Sequence, residues 1–286
     1  MMTMFARRDK FSRMPDYRMN CDPMNELLGD TTEDAFLGGR LRLRQPRSGH
    51  RAGHDAMLLA AATAARPGDR VVEFGAGVGA AGLALARRVG AVDLVLVEID
   101  PQLASLARDN AAANAIAADV AVLDVTASAE AFAAAGLKGD SAEVVLMNPP
   151  FNDAARHRVS PDRARASAHV AEAETLERWI HASRRLLKSG GELTLIWRAD
   201  GLAEVLSALG RGFGSLAILP VHSDPAKPAI RVLIRAIKGG KAPARLLKGL
   251  LLNDETGLPN KEVAKMLAGD GILPLILPLI LPLANP

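Results

Sequence analysis

The chain has 286 residues, a net charge of +3, 49% hydrophobic and 23% charged residues, the balance of an ordinary globular protein that buries its core without crosslinks. Its single cysteine, Cys21, excludes an internal disulfide and a cysteine-built zinc site. No apolar run reaches about 18 residues and no apolar stretch follows the basic N-terminal residues, so the sequence predicts a cytoplasmic protein with no membrane span.

Charge is unevenly distributed. Between Asp69 and Glu143 there are eleven acidic and five basic residues, whereas the flanks are basic. Such a pattern suits a neutral or cationic small-molecule site framed by surfaces that favour a polyanion.

Residues 1–30 carry methionines without helical or strand period and read as a disordered extension. Arg40-Leu41-Arg42-Leu43-Arg44 alternates with period two and predicts a short strand. A helix is expected from Asp55 to Ala65, stopped by Pro67-Gly68. Strands and helices then alternate. Strands are expected at Arg70–Phe74, Val92–Glu98, Asp119–Asp124 and Glu143–Met147. Helices are expected at Val78–Val89, from Pro101 to about Asn114, and in the Ala-rich stretch after Asp124. A polar, Arg-rich loop should run to about His169, followed by a helix at Ala171–Leu187, a strand at Glu192–Arg198 and a helix at Leu202–Leu209. Two further strands are predicted at Leu216–His222 and Ile230–Lys238.

This alternation argues for an α/β fold, a mostly parallel sheet with helices on both faces and right-handed crossovers. The link from Ser223 to Ala229 is too short for a crossover helix, so the last two strands should pair antiparallel. Residues 31–240 form the expected domain and 241–286 a C-terminal extension. A proline at every fourth position of its apolar tail (Pro274, Pro278, Pro282) blocks a helix there.

Chemistry is concentrated at the predicted carboxyl ends of the strands, where open α/β sheets bind ligands. Val71-Val72-Glu73-Phe74-Gly75-Ala76-Gly77-Val78-Gly79 follows a strand and opens a helix. Glycines there permit a sharp turn and close approach of a ligand. Glu98 ends the next strand, where a carboxylate can accept both hydroxyls of a ribose. Asp124 closes the third strand and could accept from an adenine amino group or cap the following helix. Asn148-Pro149-Pro150-Phe151 ends the fourth. Two prolines fix the backbone, so the Asn148 amide oxygen and the carbonyl after it can take both protons of a planar amine, with Phe151 offering a flat face. Hydrogen bonds to those protons leave more density on the nitrogen and aim it at an electrophile.

These motifs resemble class I S-adenosylmethionine-dependent methyltransferases of the amino-methylating branch, marked by Asn/Asp-Pro-Pro-aromatic. The resemblance covers roughly Thr31 to Lys238. Thr32-Glu33-Asp34-Ala35-Phe36-Leu37-Gly38-Gly39-Arg40-Leu41, Gln45-Pro46, Gly49-His50-Arg51-Ala52-Gly53-His54-Asp55 and Arg231-Val232-Leu233-Ile234-Arg235 are similar to the bacterial tRNA(Val) adenine-N6 methyltransferases. The resemblance implies a Rossmann-like, seven-stranded sheet. It implies S-adenosyl-L-methionine as cofactor, held by Glu73, Gly75, Gly77, Gly79, Glu98, Asp124 and Asn148. The six scattered histidines have no metal-ligand spacing, so no metal is expected. Asn148, Pro149, Pro150 and Phe151 would receive the target amine, and tRNA would be the substrate and partner.

Three basic clusters fit a phosphate-bearing partner. Gly38–His54 holds five arginines, Arg51 among them, and no acid. The loop after Phe151 holds Arg156, Arg158, Arg163 and Arg165. Arg231–Lys248 holds six cations and no acid. Trp179 and Trp197 are expected in the core. Three alternatives compete: a glutamine N5-methyltransferase acting on release factors, which shares Asn-Pro-Pro-aromatic; a NAD-dependent oxidoreductase, from the Gly77/Gly79/Gly82 spacing and Glu98; and a cofactor-binding RNA module without catalysis.

Overall fold

A computed structural model describes residues 30–48, 51–150, 163–210, 212–254, 256–273 and 275, with the side chains of 163–172 excluded. The chain opens with an antiparallel hairpin, β1 (Thr31–Phe36) and β2 (Leu41–Pro46). In β2 the alternation is realised: Leu41, Leu43 and Gln45 are buried while Arg42 and Arg44 face outward. The sequence did not signal β1, whose mixed Thr and acidic residues lack an alternating apolar pattern.

There follow α1 (His54–Ala62), β3 (Arg70–Phe74), α2 (Ala80–Val89), β4 (Asp93–Glu98), α3 (Pro101–Ala113), β5 (Asp119–Val122), α4 (Ala129–Ala134) and β6 (Ala142–Met147). Next come α5 (Arg163–Leu186), β7 (Leu187–Arg198), α6 (Leu202–Leu209), β8 (Phe213–His222) and β9 (Arg231–Lys238). The short β10 (Arg245–Leu246) and β11 (Leu250–Leu251) precede α7 (Lys261–Leu267). Helix α5 starts eight residues before the expected Ala171, inside the stretch expected to be loop, where Ala164, Ala166 and Ala168 favour helix.

The strands of the main sheet run in the order β10-β8-β9-β7-β6-β3-β4-β5, with β11 beside β8. From β5 to β7 the pairs are parallel. Strand β9 lies antiparallel to both β7 and β8, which matches the expected antiparallel pair. The register of β7 slips: Ala142 faces Leu187, yet Val144 faces Glu192. Residues 188–191 loop out at the Ser189-Gly190-Gly191 breaker, where Gly190 takes φ 78°.

Each face of the sheet has its own apolar core. One holds Leu58, Leu83, Leu96 and Leu106 under α1–α3. The other holds Phe74, Phe132, Leu176 and Trp197 under α4–α6. Residues beyond 240 share the first core: Leu250, Val263, Met266, Leu273 and Leu275 are buried in it. The hairpin is tied to α3 by two asparagines one turn apart. Asn110 and Asn114 each exchange a reciprocal pair of hydrogen bonds, 2.6–3.0 Å, with the backbones of Arg44 and Arg42.

No helix among the described residues is long and apolar enough to cross a membrane.

Candidate active site

The parallel strands β3, β4, β5 and β6 end side by side, and the turns that leave them converge. After β3 the backbone enters the left-handed region three times, at Gly75 (φ 64°), Gly77 (φ 56°) and Gly79 (φ 85°). L side chains resist that conformation by about 1–2 kcal/mol per residue, which is why the sequence places glycine there. The three serve different neighbours. A Cβ on Gly75 would meet the Trp179 ring, and one on Gly79 would crowd Leu96 and Leu83, but one on Gly77 would meet nothing within 4 Å. The open space lies beside Gly77.

Glu98, buried at the end of β4, faces this turn. Its Oε2 accepts from Gly77 N at 2.7 Å and its Oε1 from Asp100 N at 2.9 Å. Each oxygen keeps lone-pair capacity for another donor. Ile99 follows and is 62% exposed, an apolar surface beside a carboxylate that the sequence reading did not single out. Its signal was only an apolar residue directly after a strand-ending acid.

Glu73 is oriented differently. It is buried, and its Oε2 accepts from Gly82 N at 2.7 Å. A Cβ on Gly82 would lie 2.7 Å from that oxygen and 2.7 Å from Leu96 Cδ2, so Gly82 serves close packing of α2 on the sheet. Burial pushes Glu73 up to about 8, and the nearby Glu98 charge adds to that rise against the amides of Gly82 and Ala81. Glu73 clamps the start of α2, and so holds the Gly-rich turn. Asn110 supports the turn from the other side, donating to Val78 O at 3.0 Å.

Asp124 lies two residues beyond the end of β5 and is exposed. It accepts from Thr126 N at 2.7 Å and Thr126 Oγ1 at 2.8 Å. The cap of α4 is Ser128, which accepts from Ala131 N.

Asn148 stands at the end of β6, followed by buried Pro149 and exposed Pro150. Its Oδ1 is buried with no hydrogen-bond partner among the described residues. A buried acceptor left unpaired costs roughly 1–3 kcal/mol, so this oxygen has the capacity to take an external donor. Phe151, Arg156 and Arg158 lie outside the described residues, as do the side chains of Arg163 and Arg165. Arg51 is engaged within the fold: it pairs with Asp34 and donates to Thr32 Oγ1 at 2.9 Å and Pro46 O at 2.7 Å. Its neighbours are likewise paired, Arg40 with Asp270, Arg42 with Glu33 and Arg47 with Asp30. The acids come from β1, from Asp30 just before it and from the C-terminal segment, which a local count of charge does not see.

Residues 50–223 match the methyltransferase small domain family. The chain belongs to that family. Among curated relatives, the tRNA1(Val) (adenine(37)-N6)-methyltransferase of Porphyromonas gingivalis is 29% identical over 208 residues, 70% of this chain and 79% of that protein. The enzyme of the same name from Pedobacter heparinus is 25% identical over 71% of this chain and 83% of its own length. A predicted O-methyltransferase, protein Atu636 from Agrobacterium tumefaciens, superposes with a TM-score of 0.64 at 32% identity, over 77% of this chain and 98% of that one. The Thermus thermophilus 16S rRNA N2 G1207 methyltransferase, solved with AdoMet and guanosine, shares the fold at 20% identity and a TM-score of 0.51, over 73% of this chain and 50% of that one.

The protein is therefore a methyltransferase of the Rossmann-like class I fold that uses S-adenosyl-L-methionine. The residues present fit that group. The turn at Gly77 leaves room that a Cβ would narrow, Glu98 offers a carboxylate at its edge, and Ile99 offers an apolar face.

Proposed function

We propose that this methyltransferase modifies the exocyclic N6 amine of an adenine in tRNA. The observation that carries the reading is the unpartnered Asn148 Oδ1, buried at the end of β6 and followed by two prolines. The bound cofactor supplies an electrophilic methyl group on a sulfonium. The backbone at Gly75, Gly77 and Gly79 would line its methionine part, Glu98 would take its ribose hydroxyls, and Ile99 and Asp124 would flank its adenine.

The chain's own part in the reaction is positioning and electrostatics. Asn148 Oδ1 accepts one proton of the target amine, and the carbonyl after it accepts the other. Both bonds pull the nitrogen lone pair out of conjugation with the ring and fix its direction. Pro149 and Pro150 lack amide protons, so neither competes for Oδ1. The product nitrogen sheds one proton to water. To reach this site a base must leave its stack.

The name shared by the curated relatives supports tRNA adenine as the substrate. The Agrobacterium protein's title names an O-methyltransferase, but hydroxyl methylation needs a base for the departing proton. Asn148 is an acceptor without basicity, which suits an amine. Glutamine in a release factor also presents a planar amide nitrogen and remains the competing substrate. Purified protein incubated with labelled S-adenosylmethionine, total RNA and total protein distinguishes them. Label should enter the tRNA fraction; label confined to a protein band would overturn the reading.

A further inference from the structure

The six cations between Arg231 and Lys248 divide into two groups in the fold. Arg231 pairs with Asp55 at 2.9 Å, Arg235 with Glu192, and Lys238 with Asp140 at 2.6 Å. Lys241, Arg245 and Lys248 are exposed and have no acidic partner among the described residues. Residues 239–253 contain no acid at all.

These three side chains sit on a fastened segment. The polypeptide leaves β9, turns at Gly239-Gly240 and returns along the outer edge of β8. The turn is close, since a Cβ on Gly240 would lie 2.6 Å from Ser215 Oγ. Ser215 takes φ 52° where the β8–β9 register slips, and its Oγ accepts from Ala242 N at 3.0 Å. Leu247 N then donates to Ile218 O, and Leu252 N to His222 O, both at 2.8 Å. Arg245 stands opposite Ala217 and Leu250 opposite Val221, parallel to β8. The segment thus climbs toward the end of the sheet where Asn148 lies. Four strand spacings separate its edge from β6, about 19 Å at ~4.8 Å each.

Lysine on a sheet edge can serve to prevent edge-to-edge pairing, a task that one or two charges fulfil. Three uncompensated cations along one fastened segment, while Arg231, Arg235 and Lys238 beside them are paired, instead present a row of positive charge that a polyanion can neutralise. We infer that Lys241, Arg245 and Lys248 form a phosphate-binding strip that grips the body of a folded RNA while its target base reaches Asn148. The inference rests on the RNA reading above. It adds a second contact region beyond residue 223, where the family match ends.

The test uses the full chain and total tRNA. The variant Lys241→Ala/Arg245→Ala/Lys248→Ala should raise KM for tRNA and leave kcat and cofactor affinity unchanged. Its slope of log affinity against log salt should shrink by about two to three units, since each lost phosphate contact accounts for roughly 0.7–0.9. The charge-preserving variant Lys241→Arg/Arg245→Lys/Lys248→Arg should behave as wild type. If wild type methylates tRNA and the alanine variant keeps its KM and salt slope, the strip is refuted while the RNA reading stands. If wild type neither binds nor methylates RNA, the RNA reading fails and the strip falls with it.

Discussion

A Cβ on Gly75 would lie 2.5 Å from Cη2 of Trp179. Trp179 belongs to α5, is buried, and meets Phe74 edge-on at 6.5 Å between ring centroids. The first glycine of the turn is therefore fixed by an aromatic ring from a helix about a hundred residues later, as well as by its backbone angle.

Gly75→Ala should accordingly suffer twice. Its positive φ costs about 1–2 kcal/mol and the contact with the indole adds an overpacking cost of about 1–3 kcal/mol. Thermal unfolding should show a marked loss of stability, and calorimetry a weakened cofactor. Adding Trp179→Leu should restore part of the stability, because it removes the ring but not the backbone strain. A Gly75→Ala protein as stable as wild type would mean the turn tolerates a side chain.

Glu98 secures the Gly77 amide and, in the proposed site, would offer its remaining lone pairs to the cofactor. Loss of a charge-assisted bond costs roughly 1.5–3 kcal/mol, so Glu98→Ala should weaken S-adenosylmethionine binding by ten- to a hundredfold. Glu98→Gln, which keeps one acceptor oxygen, should fall between the two. Unchanged affinity in Glu98→Ala would remove this residue from the cofactor site.

Glu73 gives the protein a pH signature. Its pKa rises from an ordinary 4.5 to about 8 in the fold, so the folded state holds this proton more tightly than the unfolded state. Its contribution to stability is complete below about pH 4.5 and is lost as pH rises through about 8. Glu73→Gln carries no such charge and keeps an acceptor for Gly82 N. Melting temperatures across pH 5 to 8.5 should fall less steeply for the variant than for wild type. Parallel profiles would contradict the assignment.

Much of this architecture was legible because parallel strands buried on both faces read as apolar runs, as in Val71-Val72 or Val144-Val145-Leu146-Met147. The antiparallel end followed from the short link at Ser223–Ala229. The Gly-rich turn and Asn148 were visible because tight backbone geometry demands particular residue types. What stayed hidden depends on distant partners. Strand β1 exists because β2 pairs with it and α3 anchors the hairpin through Asn110 and Asn114. The arginines of Gly38–His54 look like an uncompensated basic run until Asp30, Glu33, Asp34 and Asp270 are brought beside them. Trp179 reads as core, as expected, but its role against Gly75 appears only when α5 is laid on the sheet. Residues beyond 240 looked like an appendage, yet Arg235 reaches both the buried Glu192 and Leu275 O.

The central claim is that the unpaired Asn148 oxygen serves the methyl transfer itself. Removing one preorganised hydrogen-bonding group at a reacting centre commonly lowers the rate by about 10²–10³. Single-turnover transfer of labelled methyl to tRNA by Asn148→Ala, measured beside cofactor affinity, tests this directly. The account predicts a rate lowered by that factor with cofactor affinity retained. A wild-type rate in Asn148→Ala would reduce the Asn-Pro-Pro segment to a turn and contradict the account.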